Sequence, residues 1–350
     1  RITRAHPEHQ FLFFFDRKHD PGFIFGDNVI PVELFPQARH PFLYYLWFEF
    51  SVAFALKKYK PDVFLSTDGY LSLRSGVPQV PVFHDLAFIH YPEGISFWEK
   101  KYYHRFFPRY AKKAERIVAV SEFTKQDIVK QYQVSADKID VVYNAPAEGF
   151  KPVNEQVKLY TQQQFAQGSP YFCYVGALHP RKNIDTLLKA FDEFKRSSDT
   201  PFKLLIVGRK AWLSETIETT YNAMQFKNEV IFTGRVPEND LYNITASAHA
   251  MVYIPLFEGF GLPLVEAMAC DVPVITSNVS SMPEVAGDAG ILVSPLDHTQ
   301  TAQAMLRLVN DETFYRQKKL ASTKRKLDFS WDVSAAHLWQ SILKATQQHT

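Results

Sequence analysis

Two cysteines in 350 residues, Cys173 and Cys270, both in apolar segments, leave no material for a disulfide framework or a cysteine-rich zinc site. A reducing cytoplasm is the compartment this predicts. Long apolar runs are missing as well. Residues 42–56 come nearest to the roughly 18–20 uninterrupted apolar residues of a membrane span, and Glu49 breaks them. The formal net charge is only +2, which lacks the strongly basic balance of a dedicated nucleic-acid binder. No His, Cys, Asp or Glu cluster has metal-ligand spacing, and no close acidic pair stands at a strand end in the second half. No metal is expected. Short-period repeats are absent, and the one biased segment is a small glutamine cluster near Gln162. No signal peptide is visible, and the sequence opens at Arg1.

What is present is an ordinary globular composition, 46% hydrophobic and 22% charged, in a chain long enough for two domains with separate cores. Strand-like and helix-like patterns alternate, which predicts α/β architecture. In the first half, strands are expected at 11–15, 63–66, 80–83, 117–120 and 140–142, with helices around 42–59, 97–113 and 122–131. In the second half, short apolar runs at 171–175, 203–207, 230–232, 250–254, 274–276 and 291–293 alternate with amphipathic helices, as buried parallel strands do. Pro146, Pro152, Gly168 and several glutamines interrupt the pattern between 144 and 170. The expected division is therefore 1–150, 151–330 and a tail helix, 331–350. Two doubly wound sheets would each offer the carboxyl ends of their strands to a ligand. If those ends face one another, the cleft lies between the domains.

The densest chemistry lies from Glu258 through Gly259, Phe260, Gly261, Leu262 and Pro263 to Glu266. The glycines permit close backbone approach and positive φ, and Pro263 suits the first turn of a helix. Amides of Gly261 and Leu262 would then face an anion at the helix N-terminus, between two hydroxyl-accepting carboxylates. A plain Gly-Pro cap accounts for Glu266 but not for Glu258, Phe260 and both glycines together. This stretch resembles the E-x7-E signature of the retaining glycosyltransferases of family 4 (glycosyl transferases group 1), enzymes of GT-B architecture with two Rossmann-like domains facing across a cleft. The resemblance implies that Glu266 holds the ribose hydroxyls of a nucleotide diphosphate sugar and that Glu258 lies near the donor sugar. It implies no cofactor beyond that donor. It also implies an earlier strand and a glycine-rich loop that do not precede residue 11 here, so the chain reads as truncated.

Arg181 and Lys182 follow the strand at 171–175 and precede a helix at 184–194, where two cations can grip a diphosphate and stabilise it as a leaving group. A solvated basic loop is the bland alternative. The family often carries Arg or Ser where Ala177 stands, which puts one phosphate contact in doubt; Arg209 is a substitute or a surface residue. His84, at the end of the run 80–83 and followed by Asp85, is a catalytic candidate that could bond a donor-sugar hydroxyl or the reacting oxygens, or be a loop histidine satisfied by backbone. Asp85 reads as structural. Ser121 reads as an N-cap. The loop bearing Arg235 and Val236 resembles the one that receives the nucleotide base, and Ser280 to Glu284, beyond the next strand, could border the same pocket, with Glu284 a weaker candidate than Glu266. Residues 97–116 interleave seven Lys or Arg with seven aromatics. That pattern fits an ordinary packed helix better than a membrane-surface helix, though a peripheral membrane contact at the inner face is kept as a partner.

The expectation is thus a retaining, metal-independent hexosyltransferase acting on a glycan or lipid-linked acceptor. Local similarity to bacterial mannosyltransferases of polysaccharide assembly makes GDP-mannose the first donor to consider. A sugar-nucleotide epimerase of the same fold would turn over donor without acceptor, and a catalytically silent binding module would turn over nothing.

Overall fold

The computed structural model describes residues 1–209 and 215–347. The chain divides into two compact units, Arg1–Tyr143 with Trp331–Thr350, and Asn144–Ser330. The division falls a few residues ahead of 150, where the second unit's first helix, Glu155–Ala166, is preceded by extended chain. Both units are parallel-sheet α/β structures.

In the first unit, β1 (Phe11–Phe15) and β2 (Val29–Glu33) form a two-stranded parallel sheet. β3 (Phe64–Ser66), β4 (Gln79–Phe83), β5 (Ile117–Ala119) and β6 (Ile139–Val141) form a four-stranded one, parallel and in chain order. The helix Phe97–Lys113 starts at a capping box, in which Ser96 accepts from the Glu99 amide and Glu99 accepts from the Ser96 amide. It buries Tyr102, Phe107 and Tyr110 against Leu71, Phe83 and Ile117. Most of its aromatics therefore serve the core, which is the packed-helix reading. The tail helix Trp331–Gln347 closes the other side of the sheet, with Ala345 packed among Val80, Val118 and Val142.

The second unit holds β7 (Tyr171–Val175), β8 (Lys203–Val207), β9 (Val230–Gly234), β10 (Ala250–Tyr253), β11 (Val274–Ser277) and β12 (Gly290–Val293). Their order is β12-β11-β10-β7-β8-β9, all parallel. The chain winds outward from β7 to β9, then returns to place β10 on the free side of β7. That reversal makes the sheet doubly wound, and a crevice opens beyond the carboxyl ends of the two strands where it occurs. Strands β10 and β11 are buried along their whole length, so neither shows alternation; Thr276 and Ser277 of β11 are buried polar residues, and the Thr276 hydroxyl donates to the Tyr253 carbonyl.

At the amino end of β10, His249 sits among Phe172, Phe202 and a stacked Tyr315 ring 4.4 Å away. Burial pushes its pKa down to about 4. Between pH 6.5 and 4 the unfolded chain binds a proton that the folded ring refuses, so this contribution is intact above pH 6.5 and is lost on acidification. The loss should reach about 2 kcal/mol at pH 5. Urea unfolding at pH 7 and pH 5 should show a smaller decline for His249→Phe than for the parent; equal declines would remove the assignment.

Candidate functional site

The loop leaving β7 carries Arg181 and Lys182 on a single 3-10 turn, Pro180–Lys182, opened by His179, whose Nδ1 accepts from the Arg181 amide. The turn ends at Asn183 in the left-handed conformation, with φ of 62°. Its buried amide nitrogen donates to the carbonyls of Ile254 at 3.0 Å and Pro295 at 2.6 Å. The β7 loop is thereby tied to the segments leaving β10 and β12. A second restraint comes from Gly208, beyond β8, where a Cβ would lie 1.9 Å from the Gly176 carbonyl oxygen. Only glycine permits that approach.

Beyond β10, Glu258 draws both cations to one oxygen. Arg181 donates from one terminal nitrogen to Glu258 Oε2 at 2.9 Å and to the Phe257 carbonyl at 2.8 Å. Lys182 Nζ also bonds Glu258 Oε2, and donates to the Tyr253 hydroxyl at 2.7 Å. Tyr253 in turn donates to the same carboxylate oxygen at 3.2 Å. Burial, then the charge of Glu258, raises the Tyr253 phenol well above its usual range, so it stays an O–H donor. Its ring stacks on Tyr174, whose hydroxyl donates to the Ala177 carbonyl in the β7 loop. Ser280 Oγ accepts from the Glu258 amide, and Ser281 donates to the Glu258 carbonyl at 2.8 Å. The cluster therefore carries two cations against one carboxylate, with a residual positive charge at the point where the winding reverses.

The helix Leu262–Ala269 begins just past this cluster, with Gly261 as N-cap at φ of 95° and Pro263 in the first turn. The positive φ is what calls for glycine at 261; a Cβ there would also displace the end of the Met282 side chain, 2.5 Å away. No side chain caps the first turn, and Leu262 is exposed. Gly259 is buried, and Phe260 packs its ring against Phe329. Glu266 is half-buried, and its carboxylate has no hydrogen bond or ion pair among the described residues. Burial alone raises its pKa to about 7. A half-desolvated, unpartnered carboxylate is a strong acceptor for a ligand hydroxyl.

Arg235 is exposed and Val236 half-buried in the loop after β9, beyond Gly234 at φ of 72°. Arg209 is exposed at the end of β8. His84 belongs to the first unit, after β4, where its Nε2 lies 2.8 Å from the Thr67 carbonyl. That nitrogen must carry the proton, so Nδ1 of the neutral ring remains an acceptor. His84 lines an open cavity of about 250 Å³ with Asp68, Tyr70, Phe88 and Tyr103. Asp85 caps the next turn by accepting from the Ala87 amide, and buried Ser121 caps Glu122–Tyr132 by accepting from the Thr124 amide. Among the described residues no group of three or more His, Cys, Asp or Glu is placed to hold a metal ion.

Residues 6–145 match the family model Glycosyltransferase Family 4, and residues 158–327 match Glycosyl transferases group 1. The O-antigen chain mannosyltransferase B of Escherichia coli is 30% identical over 289 residues, 80% of this chain and 74% of that protein. The chain belongs to the group 1 glycosyltransferases. Two solved structures carry the same GT-B fold. A Rickettsia africae glycosyltransferase aligns with a TM-score of 0.77 and 17% identity, covering 100% of this chain and 93% of that one. HepE from Anabaena, in complex with UDP and glucose, aligns with a TM-score of 0.75 and 16% identity, covering 97% and 93%.

In this glycosyltransferase the sequence motifs fall where the fold opens. Arg181, Lys182 and Glu258 meet, although 76 residues separate the last two. Glu266 stands apart from their ion pairs. Three participants escaped the sequence reading: Tyr253, Tyr174 and Asn183. The two tyrosines stand at the ends of apolar strands and read as core, and Asn183 reads as no more than the link between the basic pair and the helix.

Proposed function

We propose that this glycosyltransferase moves a hexose, mannose first among candidates, from a nucleoside diphosphate sugar to a glycan or lipid-linked acceptor, with retention and without a metal ion. The single observation that carries the reading is the convergence of Arg181 and Lys182 on one oxygen of Glu258 at the winding reversal. A diphosphate entering there meets two cations already held in place. The name of the Escherichia coli relative supports mannose, and the ligands of the Anabaena structure support a nucleoside diphosphate donor. The two buried, unpaired cysteines accord with work on the cytoplasmic side, where thiols stay reduced.

The bond from the anomeric carbon to the diphosphate breaks with its electron pair on phosphate, and Arg181 and Lys182 stabilise the charge that appears there. The acceptor oxygen attacks the same face, and its proton passes to the departing phosphate oxygen. Glu258 lies beside the sugar as positive charge develops on its ring. Glu266 accepts from the ribose hydroxyls, and the Arg235–Val236 loop meets the base.

A thermal-shift screen against GDP- and UDP-sugars identifies the donor, and proton NMR of the first-formed product tests the stereochemistry. An α-donor should yield an α-linkage. A β-linkage would overturn the retaining mechanism.

A further inference from the structure

Glu258 is held at two levels. Its carboxylate takes the ion pairs with Arg181 and Lys182, while its main chain is tied to the loop leaving β11. The Glu258 amide donates to Ser280 Oγ at 3.2 Å, and the Ser281 hydroxyl donates to the Glu258 carbonyl at 2.8 Å. The Ser281 amide reaches the same carbonyl at 3.4 Å. Near the end of β11, the Thr276 hydroxyl donates to the Tyr253 carbonyl at 2.7 Å. The segment from Tyr253 to Glu258 is thus pinned at both ends to one neighbour. Its middle is tied to the other side, where the Leu256 amide donates to the Arg181 carbonyl at 2.9 Å.

Both serines give up something locally to make these bonds. Ser280 has φ of 54°, in the left-handed region that glycine enters freely and a residue with a Cβ enters at a cost. Its Oγ is what glycine would lack, and that oxygen bonds the Glu258 amide. Ser281 is fully buried and stands at the N-cap of the helix Met282–Ala286, yet its side chain accepts no first-turn amide. A serine there ordinarily caps the helix; this one turns its hydroxyl across to Glu258. Backbone strain and a forgone cap converge on one residue, the pattern of a position set for function.

The two bonds flank the Glu258 Cα, one on its amide and one on its carbonyl, so they fix the direction in which its side chain leaves the main chain. That matters most with ligand bound. A diphosphate gripped by Arg181 and Lys182 competes with the Glu258 carboxylate for both cations, and the side-chain ties weaken as the anion enters. The serine bonds involve neither cation and persist.

We propose that Ser280 and Ser281 are positioning residues for sugar transfer, holding Glu258 in line while its cations are engaged by the diphosphate. The inference rests on the proposed place of Glu258 beside the donor sugar. Neither serine is assigned a contact with substrate.

Ser280→Gly separates this role from a structural one, because it removes the hydroxyl and relieves the left-handed strain in one step. The variant should melt close to the parent. Its kcat should nevertheless fall about tenfold, since a misplacement of about 1 Å at a reacting centre costs about a hundredfold. KM for donor, and Kd for free GDP or UDP, should move less than about twofold. Ser281→Ala should split kcat from KM in the same way. Turnover is read as nucleoside diphosphate released from GDP-mannose or UDP-glucose, whichever raises the parent's melting temperature more. Amide exchange at Glu258 under saturating GDP or UDP needs no turnover and should quicken about tenfold in Ser280→Gly. Adding Ser280→Gly to Glu258→Ala should cost nothing further, because the serine acts through the carboxylate. Parental kcat in Ser280→Gly, unchanged exchange, or a full further loss in the double variant overturns the proposal. Glu258→Ala alone tells the two levels apart. If it transfers at the parental rate, the role of Glu258 is wrong and the proposal falls with it. If it loses transfer while both serine variants keep it, the proposal alone falls.

Discussion

Lys182→Ala should lower turnover about a hundredfold or more, the scale seen when one preorganised donor to a developing anion is removed. Lys182 is fixed by two partners, the Tyr253 hydroxyl and Glu258 Oε2, so its position does not await the ligand. In the variant, Arg181 still reaches Glu258. The fold should therefore survive, because the buried carboxylate keeps a counter-charge and Asn183 keeps the loop anchored. Affinity for free nucleoside diphosphate should fall as well, but by less than turnover, since charge on the leaving group is greatest during bond breaking. Steady-state kinetics and calorimetry separate the two effects. Chelation in the same assay should leave transfer intact. Near-full turnover in the variant, or activity abolished by EDTA and restored by magnesium, would defeat the charge-clamp reading.

Glu266→Gln should weaken nucleoside diphosphate binding about tenfold or more above pH 8, because a hydrogen bond to a charged acceptor is worth roughly 1.5–3 kcal/mol. The pH dependence makes this sharper. Burial lifts the free carboxylate to about 7, and ribose hydroxyls donating to it favour the ionised form. Binding to the parent should therefore strengthen as pH rises through 7, and should release a proton below that point. The nucleotide's own phosphate titrates nearby, so the informative quantity is the difference between parent and variant in two buffers of unlike ionisation enthalpy. Identical proton release in both would strike out Glu266 as the ribose acceptor. In the ligand-free protein the same shift has the opposite sign to that of His249: charging Glu266 disfavours the folded state increasingly as pH climbs from 4.5 through 7.

The strands of the second unit are readable within a residue or two because each begins as or contains a short apolar run between turn residues, most of it buried in β7, β8 and β10. β2 was missed. Pro31 sits at its centre, which argues against a paired strand; it is tolerated because β2 has a neighbour on one side only. The π-turn at Trp47–Val52 was invisible too, since the stretch has continuous helical composition and the widening is a matter of backbone register. In the candidate site, residue type singles out Arg181, Lys182, Glu258 and Glu266, charged groups on the loops leaving β7 and β10 and one turn inside the helix that follows. Residue type could not reveal that Glu258 holds both cations, or that Tyr253 hydrogen-bonds Lys182 and Glu258. Those contacts exist only once β7 and β10 lie side by side.

The pairing of Arg181 and Lys182 with Glu258 makes the resting site behave like an exchange resin loaded with its own counter-ion. An incoming anion gains only the excess of its attraction over that of a carboxylate already tethered at contact distance. Chloride brings no more charge than Glu258 and competes poorly. A diphosphate brings more charge over two centres and can reach both cations at once. On the proposed reading, the tethered carboxylate would act as a filter against small monovalent anions ahead of any recognition of base or sugar.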